Sequence, residues 1–287
     1  LLTLSSLPTL SLEALQAGRI IDADGIETHL HEAGDGDPVL LLHGSGPGVS
    51  AWANWRLVLP ELAQRFHVIA PDQLGFGASA RPQDGVYGRQ AWTRHALAVV
   101  DALGLDRVSV IGNSMGAAIA LGMAQERPGV VDRMVLMGMT GVAFELPPGL
   151  DQVWGYTPDR RERMREIIEL FAYDKSIATD DLVDLRFAAS ADPRSRASYE
   201  AMFPAPRQRW LDDLALDDDA VRAIDAPALL VHGTDDEVIP FASSLRALEL
   251  LPNAELHAFT KCGHWVQIEQ TRRFTDVVSD FLSAELS

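Results

Sequence analysis

A serine, an aspartate and a histidine stand in Gly112-Asn113-Ser114-Met115-Gly116, Gly233-Thr234-Asp235-Asp236 and Cys262-Gly263-His264-Trp265. Ser114 falls between an apolar run, Val108–Ile111, and a segment rich in alanine and methionine that starts at Met115. This context predicts a strand-to-helix turn whose small neighbours tolerate a strained serine backbone and lift the hydroxyl above a sheet. The unpaired N–H groups at the helix start would face developing negative charge. A serine hydroxyl needs a base to attack, and His264 is placed for that role directly after the last apolar run. Asp236 comes just after the run Ala228–Val231 and would orient the histidine, with Asp235 as the alternative acid. The chain order Ser114, Asp236, His264 is that of α/β-hydrolases and differs from the orders of other common serine triads.

The stretch His43-Gly44-Ser45-Gly46-Pro47-Gly48 follows the apolar run Val39–Leu42. Its glycines let backbone approach a ligand closely, and the amides of Ser45 and Met115 are the expected oxyanion donors. A phosphate-cradling loop is the alternative, but the lysine that a P-loop requires does not follow. His43 reads as a structural hydrogen-bonding residue. Asp72, in Asp72-Gln73-Leu74-Gly75-Phe76-Gly77-Ala78-Ser79, reads as an acid that stabilises a turn. No His, Cys, Asp and Glu set has metal-ligand spacing, so no metal is expected.

These residues need a sheet to hold them. Apolar runs recur at Val39–Leu42, His67–Ala70, Val108–Ile111, Met134–Met137, Ala228–Val231 and, more weakly, Leu256–Phe259. Several are uninterrupted, as in parallel strands covered on both faces. Crossover helices are expected at Gln90–Leu103, Met115–Gln125 and Thr271–Leu282, the last bringing Phe274, Val277, Val278 and Phe281 together at helical spacing. The rhythm fails between Met137 and Ala228. There Pro147-Pro148 precedes a charged helix over Asp159–Tyr173 and another over Thr179–Ala189. So long a stretch without structure is uncommon in a compact domain. The expected fold class is therefore α/β, with a mostly parallel sheet and an inserted helical cap. Residues 1–18 are read as an N-terminal arm, 19–141 and 211–287 as the core, 142–210 as the cap, and the acidic run Asp212–Asp219 as a solvated face.

The chain has 287 residues, 47% of them hydrophobic, enough for one domain with a sizeable insertion. Its net charge of -17 disfavours nucleic acid and anionic membranes as partners, while leaving open a pocket of opposite local charge. No run reaches the roughly 18 apolar residues of a membrane span. The first twelve residues lack the basic segment of a secretion signal. A single cysteine, Cys262, excludes an intrachain disulfide and fits a reducing compartment, hence a cytoplasmic location. Cys262 is expected to pack locally.

Six separated stretches carry a resemblance: HGSGPGVSAWANW at 43–55, DQLGFGAS at 72–79, GNSMG at 112–116, GLDQVWGYTP at 149–158, MFPAPRQRW at 202–210 and KCGHWVQIE at 261–269. The sequence resembles the meta-cleavage product hydrolases of aromatic degradation, closest to the 2-hydroxymuconate semialdehyde hydrolase branch, across nearly the whole chain after the arm. The resemblance implies cofactor-free hydrolysis of a carbon–carbon bond in a small hydroxydienoate, by ketonisation and then attack. It implies Ser114, Asp236 and His264 as triad, Ser45 and Met115 amides as oxyanion donors, and Asn54 and Asn113 as amides at the hydroxy-acid end. Arg186 would be the cap arginine on the carboxylate or dienolate oxygen, and Trp265 an aromatic beside the histidine. Many relatives carry glycine where this chain has Ser45. The resemblance is compatible with a homo-oligomer, and a carboxylesterase acting on short-chain esters is the alternative activity.

Overall fold

The structure is a computed structural model that describes residues 12–82 and 85–284. Most of the expected N-terminal arm thus lies outside the described residues. Its last part forms helix α1 (Leu12–Ala17). The strands are β1 (Arg19–Ala23), β2 (Ile26–Ala33), β3 (Asp37–Leu42), β4 (Phe66–Pro71), β5 (Val108–Asn113), β6 (Val131–Met137), β7 (Ala228–Gly233) and β8 (Ala254–Phe259). They form one sheet in the order β1-β2-β4-β3-β5-β6-β7-β8. From β4 to β8 every neighbouring pair is parallel, while β1–β2 and β2–β4 are antiparallel.

The antiparallel hairpin is absent from the sequence expectations. Its strands are interrupted by polar residues and only partly buried, so they form no continuous apolar run. The legible signal was Asp24-Gly25, both with positive φ (55° and 78°), the geometry of the two-residue turn that favours Asp-Gly.

The core helices are α2 (Ala51–Trp55), α3 (Leu59–Leu62), α4 (Arg89–Ala102) and α5 (Met115–Glu126), with α12 (Phe241–Leu250), α13 (Val266–Glu269) and α14 (Thr271–Ser283) after β7. Successive strand residues point to opposite faces. Leu40, Leu42, Val110, Met134 and Leu230 therefore pack in the core layer that contains α4, α5 and α12. Val39, Leu41, Ile111, Val135 and Val231 pack in the layer that contains α2, α3 and α14. Burial on both faces explains the uninterrupted runs.

Between β6 and β7 the chain is helical: α6 (Pro148–Trp154), α7 (Arg161–Phe171), a 3-10 turn at Lys175–Ile177, α8 (Asp180–Ala191), α9 (Pro193–Met202), α10 (Gln208–Leu214) and α11 (Asp218–Arg222). The sequence pattern indicates α7 and α8 but neither α6 nor α9. Residue 210, the expected cap end, falls inside α10, which packs on α5. The acids of the run Asp212–Asp219 are exposed or half-exposed, as expected of a solvated face. Leu214 and Leu216 within it are buried, and Asp217 caps α11 by accepting from Ala220 N. Among the described residues no helix is long and apolar enough to cross a membrane.

Candidate active site

Ser114 sits between β5 and α5 with φ 54° and ψ −114°, a left-handed backbone rarely adopted by a side-chain-bearing residue. The flanking glycines are required by space. A Cβ on Gly116 would lie 2.1 Å from the Leu42 carbonyl oxygen, and one on Gly112 would lie 2.5 Å from the Gly116 carbonyl oxygen. The strained turn is held by Ser114 N donating to Met137 O at 2.8 Å, and by Thr140, whose amide and hydroxyl both donate to Ser114 O.

Asp236 follows β7 and His264 follows β8. His264 Nδ1 donates to Asp236 Oδ2 at 2.7 Å, and both side chains are essentially inaccessible to solvent. The other carboxylate oxygen accepts from Val238 N at 2.8 Å and Ile239 N at 2.9 Å. Burial alone would raise this carboxyl's pKa. Attraction to His264, together with hydrogen bonds from His232 and His264, overrides burial and holds it below the ordinary 3.8. Asp235 is directed elsewhere, its carboxylate accepting from Lys261 N and the Thr234 hydroxyl. His232, which lies 3.3 Å from Asp236 Oδ2 and bonds Ser244 Oγ, is a neighbour that sequence reasoning missed.

His264 N donates to Phe171 O at 2.8 Å, so the end of α7 is fixed to the histidine loop. Trp265 stacks on the Phe171 ring with centroids 4.8 Å apart. Glu269, also missed, braces this junction by accepting from Gly263 N with one oxygen and from Tyr173 N and Asp174 N with the other. Cys262 is buried there, and burial, then Glu269, pushes its thiol pKa well up, which removes thiolate reactivity.

Ser114 and His264 line one cavity of about 340 Å³, together with Ser45, Asn54, Arg56, Asn113, Arg186 and Trp265. Among the described residues the Ser114 hydroxyl and the amides of Ser45 and Met115 make no hydrogen bond. The amides are therefore available to an oxyanion. An open serine–histidine contact is common before substrate binds. A Cβ on Gly44 would lie 3.2 Å from Ser114 Cβ, which places the glycine loop directly over the elbow. Ser45 Oγ accepts from the Trp154 indole at 2.9 Å, tying this loop to α6.

The far wall comes from α8. Its buried positions Val183, Arg186 and Ser190 recur at helical spacing, whereas Asp181 and Asp184 are exposed. Asp184 pairs with Arg161, so it does not neutralise Arg186. Arg186 instead donates from Nη2 to Pro47 O at 3.1 Å, while its Nε and the Asn54 side-chain nitrogen are buried without partners. Burial, followed by the positive charge of Arg56, pushes the Arg186 pKa down to about 10, leaving it protonated at neutral pH. The Asn113 side chain donates to Met137 O at 3.4 Å. Arg56 was not singled out from the sequence, because nothing in a local pattern separates it from a surface arginine.

His43 Nδ1 donates to Gly44 O and its Nε2 accepts from Gln73 N, a pairing that requires a neutral ring. Burial lowers its pKa accordingly. Asp72 ties segments together by accepting from Ala51 N, Ala78 N and His29 Nδ1. His29, His31 and Asp72 form the one cluster among the described residues with metal-holding proximity. Its His29 nitrogens and His31 Nδ1 already bond Asp72, Ala17 O and Leu15 O, so a metal would have to displace those bonds.

Residues 39–277 match the model of the alpha/beta hydrolase family. A 2-hydroxy-6-oxo-2,4-heptadienoate hydrolase of Pseudomonas putida is 52% identical over 270 residues, covering 94% of this chain and 98% of that one. A 2-hydroxymuconate semialdehyde hydrolase of a Pseudomonas species is 50% identical over 268 residues, covering 93% and 94%. A solved meta-cleavage product hydrolase of Pseudomonas fluorescens, complexed with acetates, superposes with a TM-score of 0.91 at 47% identity, covering 92% of this chain and 97% of that one.

Proposed function

The chain belongs to the meta-cleavage product hydrolases of the α/β-hydrolase family, and from that premise we propose how its own residues perform the reaction. It hydrolyses the C5–C6 bond of 2-hydroxy-6-oxohexa-2,4-dienoate or its 6-alkyl analogues. The products are 2-hydroxypenta-2,4-dienoate and a small carboxylic acid, formate when C6 carries hydrogen and acetate when it carries methyl.

In the first stage the 2-hydroxyl loses its proton and C5 gains one, giving a 2,6-diketone with a C3–C4 double bond. His264 carries the proton. In the second stage Ser114 Oγ attacks C6 and passes its proton to His264, and the amides of Ser45 and Met115 receive the oxyanion. The C5–C6 bond then breaks, its electron pair passes through the double bond to the C2 oxygen, and the proton held by His264 goes to that oxygen, leaving the imidazole neutral. Water taken through His264 releases the acid from Ser114. Asp236 keeps His264 in the tautomer that accepts the serine proton. Arg186, Asn54 and Asn113 hold the hydroxy-acid end, and Trp265 packs beside the histidine. Recognition far from the cleaved bond serves positioning.

The observation that carries this reading is the cavity's polarity. The serine and histidine share it with a buried arginine whose Nε is unclaimed, and among the described residues its lining contains no aspartate or glutamate. That asymmetry suits an acid with a reactive carbonyl at its other end. The test compares kcat/KM for the dienoate with that for neutral short-chain esters. Efficient ester hydrolysis without dienoate turnover would make the protein a carboxylesterase.

A further inference from the structure

Arg56 directly follows α2, two positions after the buried Asn54, and lines the same cavity. Its guanidinium is half-buried, and Nη1 donates to Ala53 O at 2.7 Å. Among the described residues no carboxylate pairs with it, whereas Arg127, Arg161, Arg165, Arg207 and Arg246 each pair with an aspartate. The chain has 41 acidic residues against 24 lysines and arginines, so acids are plentiful. Among the described residues this cavity nonetheless has two guanidinium groups and no acid in its lining.

Two like charges in a partly desolvated wall each make the other more costly, and the depressed pKa of Arg186 reflects Arg56 as well as burial. An anionic ligand would relieve both. The two cations are placed differently. Arg186 is buried and reaches the glycine loop beside Ser114, with Nη2 3.1 Å from Pro47 O and 3.6 Å from a Cβ built on Gly46. Arg56 is the more exposed member. In a linear hydroxydienoate whose C6 lies at Ser114, the C2 oxygen precedes the terminal carboxylate on the way outward.

We propose that Arg56 is a substrate-binding residue that takes the C1 carboxylate, while Arg186 takes the C2 oxygen, so that two arginines divide the hydroxy-acid end between them. The assignment rests on the hydroxydienoate reading above. It makes Arg56 the residue that selects acids over neutral analogues of the same length. The planar fork of arginine suits a carboxylate better than the single ammonium of lysine.

The test uses the dienoate and its C1 carboxamide, which keeps the 2-hydroxyl and the reactive C6 carbonyl but removes the carboxylate charge. Turnover is measured for the parent enzyme, Arg56→Gln, Arg56→Lys and Arg186→Gln, with thermal unfolding as a fold check. The acid-to-carboxamide ratio of kcat/KM is expected to fall roughly 30–100-fold in Arg56→Gln, the lower part of the range for losing one partner of a charge pair. The loss should appear in KM more than in kcat. Arg56→Lys should recover part of the ratio, and Arg186→Gln should damage both substrates alike. If Arg56→Gln does not fold, a parental ratio in Arg56→Lys would count against the carboxylate contact and a reduced one for it. An unchanged ratio in folded Arg56→Gln, or a ratio that collapses only in Arg186→Gln, would overturn the assignment. A parent enzyme that ignores the dienoate but cleaves esters would overturn the underlying reading instead, before any variant is compared.

Discussion

Replacing Asp236 by asparagine tests the triad at its most buried member. In the parent, Oδ2 takes the His264 Nδ1 proton at 2.7 Å while Oδ1 accepts two backbone amides. Asparagine can keep its carbonyl on the amides of Val238 and Ile239, but it then presents an NH2 to His264. To avoid donor against donor, the imidazole must carry its proton on Nε2, where it cannot accept one from Ser114. The equivalent change in a chymotrypsin-type triad lowers kcat about 10⁴-fold, so a loss of roughly 10³–10⁴, or about 4–5.5 kcal/mol, is expected here. Folding should suffer far less. Two charge-assisted bonds become neutral ones, worth about 1–3 kcal/mol together, and that loss is offset by no longer burying a charge. Asp235→Asn is the control, because its exposed carboxylate serves only Lys261 and Thr234, and its kcat should stay within about threefold. The assay is single-turnover loss of the dienolate absorbance beside thermal unfolding. Folded Asp236→Asn with more than a tenth of parental kcat, or a crippled Asp235→Asn, would refute the reasoning.

Gly116→Ala should abolish soluble, active protein, because its Cβ would overlap the Leu42 carbonyl oxygen; soluble expression with parental Tm would contradict this. Ser45→Gly should keep the oxyanion amide but strand the buried Trp154 N–H, costing about 1–3 kcal/mol of stability; thermal unfolding beside kcat should show lower Tm with catalysis reduced less than about tenfold. In kcat/KM against pH, the dienoate should lose efficiency above about 10 as free-enzyme Arg186 deprotonates, and Arg186→Gln should lack that limb. This loss is not unfolding driven by Arg186. Its folded pKa lies below the ordinary 12.5, so its deprotonation favours the folded state and its contribution to stability rises through that window.

The parallel strands were legible because burial on both faces demands unbroken apolar runs, and Ser114 was legible because its strain demands glycines at fixed offsets. Thr179 and the acids after it marked the start of α8, where Thr179 accepts from Leu182 N. What escaped was set by distant partners. Glu269 braces backbone almost a hundred residues away, and Ser45 meets Trp154 across 109 positions. Arg56 differs from a surface arginine only in having a cavity before it and no acid beside it. The β1–β2 hairpin has no unbroken apolar run because that end of the sheet is only partly covered, and the relevant signal there was the Asp24-Gly25 turn.

The central claim is that Ser114 and its cavity break a carbon–carbon bond in an anionic dienoate. The most direct measurement is product analysis by NMR after incubating purified protein with 2-hydroxy-6-oxohexa-2,4-dienoate, beside folded Ser114→Ala at the same concentration. The parent should yield 2-hydroxypenta-2,4-dienoate and formate in equal amounts, and the variant should yield neither beyond a residual trace. Intact dienoate with the parent, or equal product from both proteins, would contradict the account.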